Sequence, residues 1–133
     1  MRFLALLIIL ALAPAGAARA DDFARIEPQT VNERVESGDP ELLVLDVRTA
    51  AEFDEGHIPG AVNIPFDAIG ERIAELGPAD ERDVVVYCRS GRRSAIALGA
   101  LKMAGFSRLF HLDGDYLRWS EEGRPLIQPP AQP

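Results

Sequence analysis

The stretch Val84-Val85-Val86-Tyr87-Cys88-Arg89-Ser90-Gly91-Arg92-Arg93-Ser94 joins an unbroken apolar run to a glycine and three arginines, with the only cysteine of the 133-residue chain at the junction. An apolar run without polar alternation marks a strand buried on both faces, as in a parallel sheet flanked by helices. From about Ser94 to Met103, Ala97, Leu98, Leu101 and Ala104 fall on one stripe at helical spacing, and Gly105 stands where a left-handed C-terminal cap is wanted. The thiol therefore sits where a buried strand ends and a helix begins. Ligands of open α/β sheets collect at that edge, and a helix N-terminus offers unpaired N–H groups together with the positive end of its dipole.

Working outward, Leu42 to Leu45, ending at Asp46, is a second buried strand, with shorter strands expected at Ala61 to Asn63 and Leu109 to His111. Helices are predicted from Pro28 to Glu36 and from Asp67 to Leu76, and Tyr116, Leu117 and Trp119 suggest a further helix packed on the sheet. This alternation predicts an α/β domain with a mainly parallel sheet. In Gly56-His57-Ile58-Pro59-Gly60-Ala61, Pro59 sets φ and Gly60 takes the positive φ of a type II turn, where His57 is expected to hydrogen-bond backbone and to have no catalytic role. Asp46 and Arg48, just past a buried strand, are expected to pair with each other or with Glu52. The domain is expected over residues 21–126, with residues 127–133, which include Pro129, Pro130 and Pro133, as a loosely ordered tail.

Residues 1–20 have the form of a signal peptide. Arg2 precedes an apolar run, Phe3 to Ala13, that is too short to span a bilayer, and Ala18-Arg19-Ala20 supplies a small-residue cleavage site. A membrane anchor would need a longer apolar stretch, so export, to a compartment such as a bacterial periplasm, is expected, with no membrane association after cleavage. Loss of Arg2 and Arg19 takes the formal charge of −7 two units further negative, which argues against a nucleic acid partner. A single cysteine rules out an internal disulfide, and it combines with His57 and His111 at spacings too wide for a metal set, so neither metal nor cofactor is expected. No long apolar strip is left once the core is assigned, and a monomer is the default.

Alone, a single cysteine is as readily buried as reactive. Its neighbours shift the balance, because a loop curling around Cys88 would aim several amides at sulfur and favour thiolate over neutral thiol. Arg89, Arg92 and Arg93 concentrate positive charge in a protein of negative total. With a Debye length of about 8 Å at physiological salt, these near charges outweigh distant carboxylates. The alternative is a solvated helix face over a core cysteine. The coincidence of strand end, thiol, Gly91 and arginines favours a small-anion site made of Cys88 with Arg89, Ser90, Gly91, Arg92, Arg93 and Ser94.

Over nearly all of its length after residue 20 the chain resembles the rhodanese family. Leu45-Asp46-Val47-Arg48 with Glu52-Phe53 resembles the family's first motif, and Gly56-His57-Ile58-Pro59-Gly60-Ala61-Val62-Asn63-Ile64-Pro65 its second. CRSGRRS at 88–94 is similar to the active loop, and Gly114 with Trp119 falls on the C-terminal G-G-x-x-x-W, with Asp115 in place of the second glycine. The resemblance implies a five-stranded parallel sheet with helices on both faces. It also implies sulfur transfer through a Cys88 persulfide held by the N–H groups of residues 89–93, from a small sulfur-containing anion such as thiosulfate to cyanide or a thiol. Arg48, with Asp46, would lie near the active loop as support.

Cysteine phosphatases are a competing reading, since they too cradle an oxyanion between strand and helix. They resemble C-x5-R, however, and the sixth position after Cys88 is Ser94, the arginines falling at the fourth and fifth. A non-catalytic rhodanese-like module that binds a partner or senses redox state is the second alternative. A thiol–disulfide exchanger would need a second cysteine to resolve a mixed disulfide.

Overall fold

The computed structural model describes Gly16, Arg19 and residues 22–131. The signal peptide expected over residues 1–20 lies almost wholly outside the described residues. Among those described, no helix is long and apolar enough to cross a membrane.

Five strands form one all-parallel sheet: β1 (Ala24–Ile26), β2 (Leu42–Asp46), β3 (Val62–Asn63), β4 (Asp83–Tyr87) and β5 (Leu109–Leu112), in the order β1-β5-β4-β2-β3. The two continuous apolar runs are the central neighbours β2 and β4, in register from Leu42 opposite Asp83 to Asp46 opposite Tyr87. Because successive residues of a strand point to opposite faces, each run feeds two cores. Leu43, Leu45, Val84, Val86 and Cys88 join one core with Ala97, Leu98 and Leu101 of α4 (Arg92–Met103). Val44, Val85, Tyr87 and Leu112 join the other, with Val31 of α1 (Pro28–Glu36) and Trp119 of α5 (Asp115–Glu121). The sheet is thus covered by helices on both faces, as expected.

Several details depart from expectation. β1 and the six-residue helix α2 (Ala50–Glu55) were not foreseen. The helix predicted over 67–76 is a tightened stretch, 3-10 at Phe66–Ala68 and Ile73–Leu76 with only α3 (Ile69–Arg72) between them. Ile69 and Leu76 of this stretch are buried, and sequence periodicity does not separate one helical hydrogen-bond class from another. Ala104 is exposed, because the helix has already ended at Met103 and the chain turns through Gly105 at φ 96°. At the expected type II turn Gly60 has φ 80°. Ile127, the first residue of the expected tail, exchanges both main-chain hydrogen bonds with His57, at 3.0 and 2.8 Å, and the Trp119 indole donates to Pro125 O at 2.8 Å.

Helix α2 buries no residue and is held by polar contacts instead. Thr49 and Glu52 form a capping box, and Glu52 also makes a bidentate pair with Arg93 of α4 at 2.6 and 3.0 Å. The Arg93 hydrogen bonds hold the Glu52 carboxyl at about 2 against an ordinary 4.5, with burial opposing and the Thr49 amide assisting. A depressed folded-state value means that the stabilisation is complete above the unfolded value and vanishes as pH falls through the folded one.

Two measurements check this account. Leu98→Ala, at a site with no exposure, should cost about 2–5 kcal/mol in equilibrium denaturation, while Met103→Ala at the exposed helix end should stay within about 0.5 kcal/mol. Glu52→Gln should cost about 1 kcal/mol at neutral pH, since the pair is partly solvated. That difference from the parent should shrink between pH 4.5 and about 2; a pH-independent difference would refute the ion-pair assignment.

Candidate active site

The end of β4 delivers Cys88 into a loop that closes on α4. Gly91 takes φ 119°, a left-handed conformation disfavoured for side-chain-bearing residues, and serves as the N-cap of α4, which therefore begins at Arg92, two residues before the expected start. This reversal aims the Gly91 N–H at Cys88 Sγ, 3.0 Å away. The first intrahelical bond runs from Ala95 N–H to Gly91 O. The amides of Arg92, Arg93 and Ser94 thus lie at the open, positive end of the helix. A Cβ on Gly91 would meet Asp115 Oδ2 at 3.2 Å and the His111 ring at 3.6 Å, so only glycine suits both the turn and the close approach.

The loop rests on the first turn of α5. The amides of Tyr116 and Leu117 donate to the carbonyls of Cys88 and Arg89 at 3.0 and 3.2 Å, so donors left over at one helix start satisfy acceptors of the loop. Asp115, buried and at φ 53°, adds its side chain. Its Oδ1 accepts from Cys88 N–H at 3.0 Å and from the Ser94 hydroxyl at 2.8 Å, while His111 Nε2 lies 2.9 Å from Oδ2.

The residues expected at the site divide into three groups. Arg89, Ser90 and Arg92 are exposed and, with Phe66, Arg93 and Ile96, line a cleft of about 490 Å³. Among the described residues the guanidinium groups of Arg89 and Arg92 enter no ion pair. Arg93 is a correction in part: two of the five N–H groups of its guanidinium are committed to Glu52, so much of its charge is offset within the protein. Ser94 is a second correction, because it is fully buried and its hydroxyl is turned away to Asp115.

Asp46 and Arg48 form the expected framework pair, wholly buried, at 2.6 Å. Arg48 also donates to Gly56 O at 2.7 Å and lies 4.1 Å from the centre of the Tyr116 ring and 5.6 Å from that of Tyr87. It supports the loop through Tyr116 rather than by pointing at sulfur. Tyr87 accepts from Ile58 N–H, and burial pushes its hydroxyl well above the ordinary tyrosine range. His57 is structural as expected, with Nδ1 2.9 Å from Phe53 O and its ring stacked on Phe53 at 3.7 Å. Sequence reasoning missed Asp115 as a loop support, and it reads His111 at the strand end as structural without naming Asp115 as its partner. The available signal was Asp115 itself, a carboxylate at a glycine position.

Cys88 is only 1% exposed, which agrees with the buried reading of a lone cysteine, yet an amide is aimed at its sulfur, which agrees with the reactive one. A buried anion needs such donors and nearby positive charge. The position offers both, together with cationic side chains at the rim. The arrangement can stabilise a thiolate, or a negatively charged group attached to it, without a general acid. Among the described residues no cluster of potential metal ligands occurs.

Comparison with known proteins agrees with this geometry. A family model for the rhodanese-like domain matches residues 27–122, from the start of α1 to beyond α5. The chain is 39% identical over 104 residues to a sulfurtransferase of Allochromatium vinosum, covering 78% of this chain and 94% of that one. It is 42% identical over 111 residues to a probable adenylyltransferase/sulfurtransferase, MoeZ, of Mycobacterium tuberculosis, covering 82% of this chain but only 28% of that larger protein. Among solved structures, the rhodanese-like domain of the Anabaena sp. Alr3790 protein superposes with a TM-score of 0.70 at 27% identity, covering 82% and 86% of the two chains. A rhodanese-related protein of Thermoplasma volcanium gives 0.68 at 27% identity, covering 80% of this chain and 100% of that one. The resemblance seen in the motifs thus extends through sheet, helices and loop, and the chain belongs to the rhodanese-like domain family.

Proposed function

We propose that the protein is a sulfurtransferase that moves sulfane sulfur from thiosulfate, or a similar small anion, to cyanide or a thiol through a persulfide on Cys88. The observation that carries this reading is the Gly91 N–H directed at Cys88 Sγ at the mouth of α4. Relatives named as sulfurtransferases support it, including a putative mitochondrial thiosulfate sulfurtransferase of Schizosaccharomyces pombe, 35% identical over 97 residues and covering 65% of this chain and 68% of that one.

In the first half-reaction the Cys88 thiolate attacks the outer sulfur of thiosulfate. A new S–S bond forms to Cys88, the bond from that sulfur to the sulfonate sulfur breaks, and its electron pair leaves with sulfite. Sulfite is a stable anion that needs no proton, so a site with anion contacts and no acid suffices. The terminal sulfur then carries the negative charge within reach of the amides at the head of α4. In the second half-reaction an acceptor nucleophile takes that sulfur, the persulfide S–S bond breaks, and the thiolate is restored.

Arg89 and Arg92 hold the incoming dianion at the rim, the role for which exposed guanidinium groups are suited. Because Cys88 is nearly sealed, entry of the outer sulfur requires residues 89–92 to open and close again around it. Secretion of the chain to an oxidising compartment, and its action as a monomer, belong to the same proposal.

The test is intact mass after incubation with thiosulfate. The parent should gain one sulfur atom that cyanide removes, and Cys88→Ser should gain none. Release of phosphate from an aryl phosphate without release of sulfite from thiosulfate would overturn the reading in favour of phosphatase chemistry. Replacing Arg89 and Arg92 together by Ala should raise KM for thiosulfate about tenfold or more, the effect of losing charge-assisted contacts, while Cys88 keeps its capacity to accept sulfur at high donor concentration.

A further inference from the structure

Asp115 is the one described residue other than glycine with a positive φ, at 53°. A side chain in that conformation strains the backbone unless something holds it there, and glycine, found at this place in the motif that the sequence resembles, would be comfortable. The carboxylate has three partners, and all belong to the active loop or to the strand beside it. Oδ1 joins the N–H of Cys88 to the hydroxyl of Ser94, the two ends of the loop, at 3.0 and 2.8 Å. Oδ2 is held by Nε2 of His111 at 2.9 Å, and His111 sits in β5, paired with Val86 of β4. His111 Nδ1 is buried with no partner among the described residues, so the Asp115 contact is the polar tie of that ring.

We infer that Asp115 is a positioning residue for sulfur transfer: it clamps both ends of the 88–94 loop to β5, so that the crest can open while the Gly91 N–H returns to the same place opposite Cys88 Sγ. The inference rests on the proposed sulfur-transfer role of the loop. The clamp uses the Cys88 amide, which would otherwise be an orphan at the end of β4, and it explains why Ser94 faces inward. Asp115 itself does not touch the reacting atoms. Replacing the carboxylate also changes the charge beside the Cys88 main chain, so clamping and charge must be separated by experiment.

Asp115→Asn and Asp115→Gly make that separation. Both remove the charge and both residues tolerate positive φ, but only asparagine keeps an oxygen for Cys88 N–H and Ser94 OH. Amide hydrogen exchange at Cys88 and Gly91, referenced to Val44 in β2, should accelerate about tenfold or more in Asp115→Gly and stay near the parent value in Asp115→Asn, as expected for loss of a hydrogen bond to a carboxylate. In thiosulfate loading, Asp115→Gly should lower kcat with little change in KM, and Asp115→Asn should restore kcat. Parental exchange in Asp115→Gly would overturn the inference. So would equal loosening in both variants, which would make charge the cause, or equal acceleration at Val44, which would make the role merely structural. If the parent itself takes no sulfur from thiosulfate, the functional proposal falls while the exchange data still decide the clamp.

Discussion

Burial of β4 on both faces is the constraint on which the rest of the structure depends. A strand between two helical layers has no freedom in which way its residues point, because a shift of one position would exchange every side chain between cores. Val84 and Val86 face α4, Val85 and Tyr87 face α1 and α5, and the same parity carries Cys88 to the α4 side. The thiol is therefore directed at the start of α4 by the packing of residues several positions earlier. Gly91 completes the arrangement, since it supplies the turn that brings the helix start back over the sulfur.

Charge is arranged around this point in two tiers. The inner tier is neutralised within the protein: Arg48 by Asp46, and Arg93 by Glu52. Breaking such a pair when it is fully buried is costly, because the remaining partner is left without solvent or counterion, and this makes the Asp46–Arg48 pair a stiff support for Tyr116 and the loop. The outer tier, Arg89 and Arg92, faces solvent and keeps its charge available. Two of three arginines in a short basic run are thus exposed at the cleft, while the third is tied to Glu52.

The chemistry-bearing segment was legible because its signals are local: an apolar run, a thiol, a glycine and a following helical stripe lie within one stretch of chain. What escaped was non-local or too short to have a pattern. β1 is a three-residue edge strand with Arg25 at its centre and no alternation to detect. α2 buries nothing, so hydrophobic periodicity could not reveal it, although its Thr49–Glu52 capping box was present in the sequence. The inward turn of Ser94 and the capture of Arg93 depend on partners 21 and 41 residues away, which no spacing rule supplies. Asp115 stood out only as a departure from the motif, and its meaning required seeing what its oxygens touch.

The recess around Cys88 bears on covalent self-association. A disulfide between two copies would need their cysteine Cα atoms within about 4.4–6.8 Å of each other, and a cysteine that is only 1% exposed cannot approach its twin so closely without local unfolding. The same enclosure thereby shields the chain's solitary thiol from cross-linking, a steric filter in a chain that has no second cysteine.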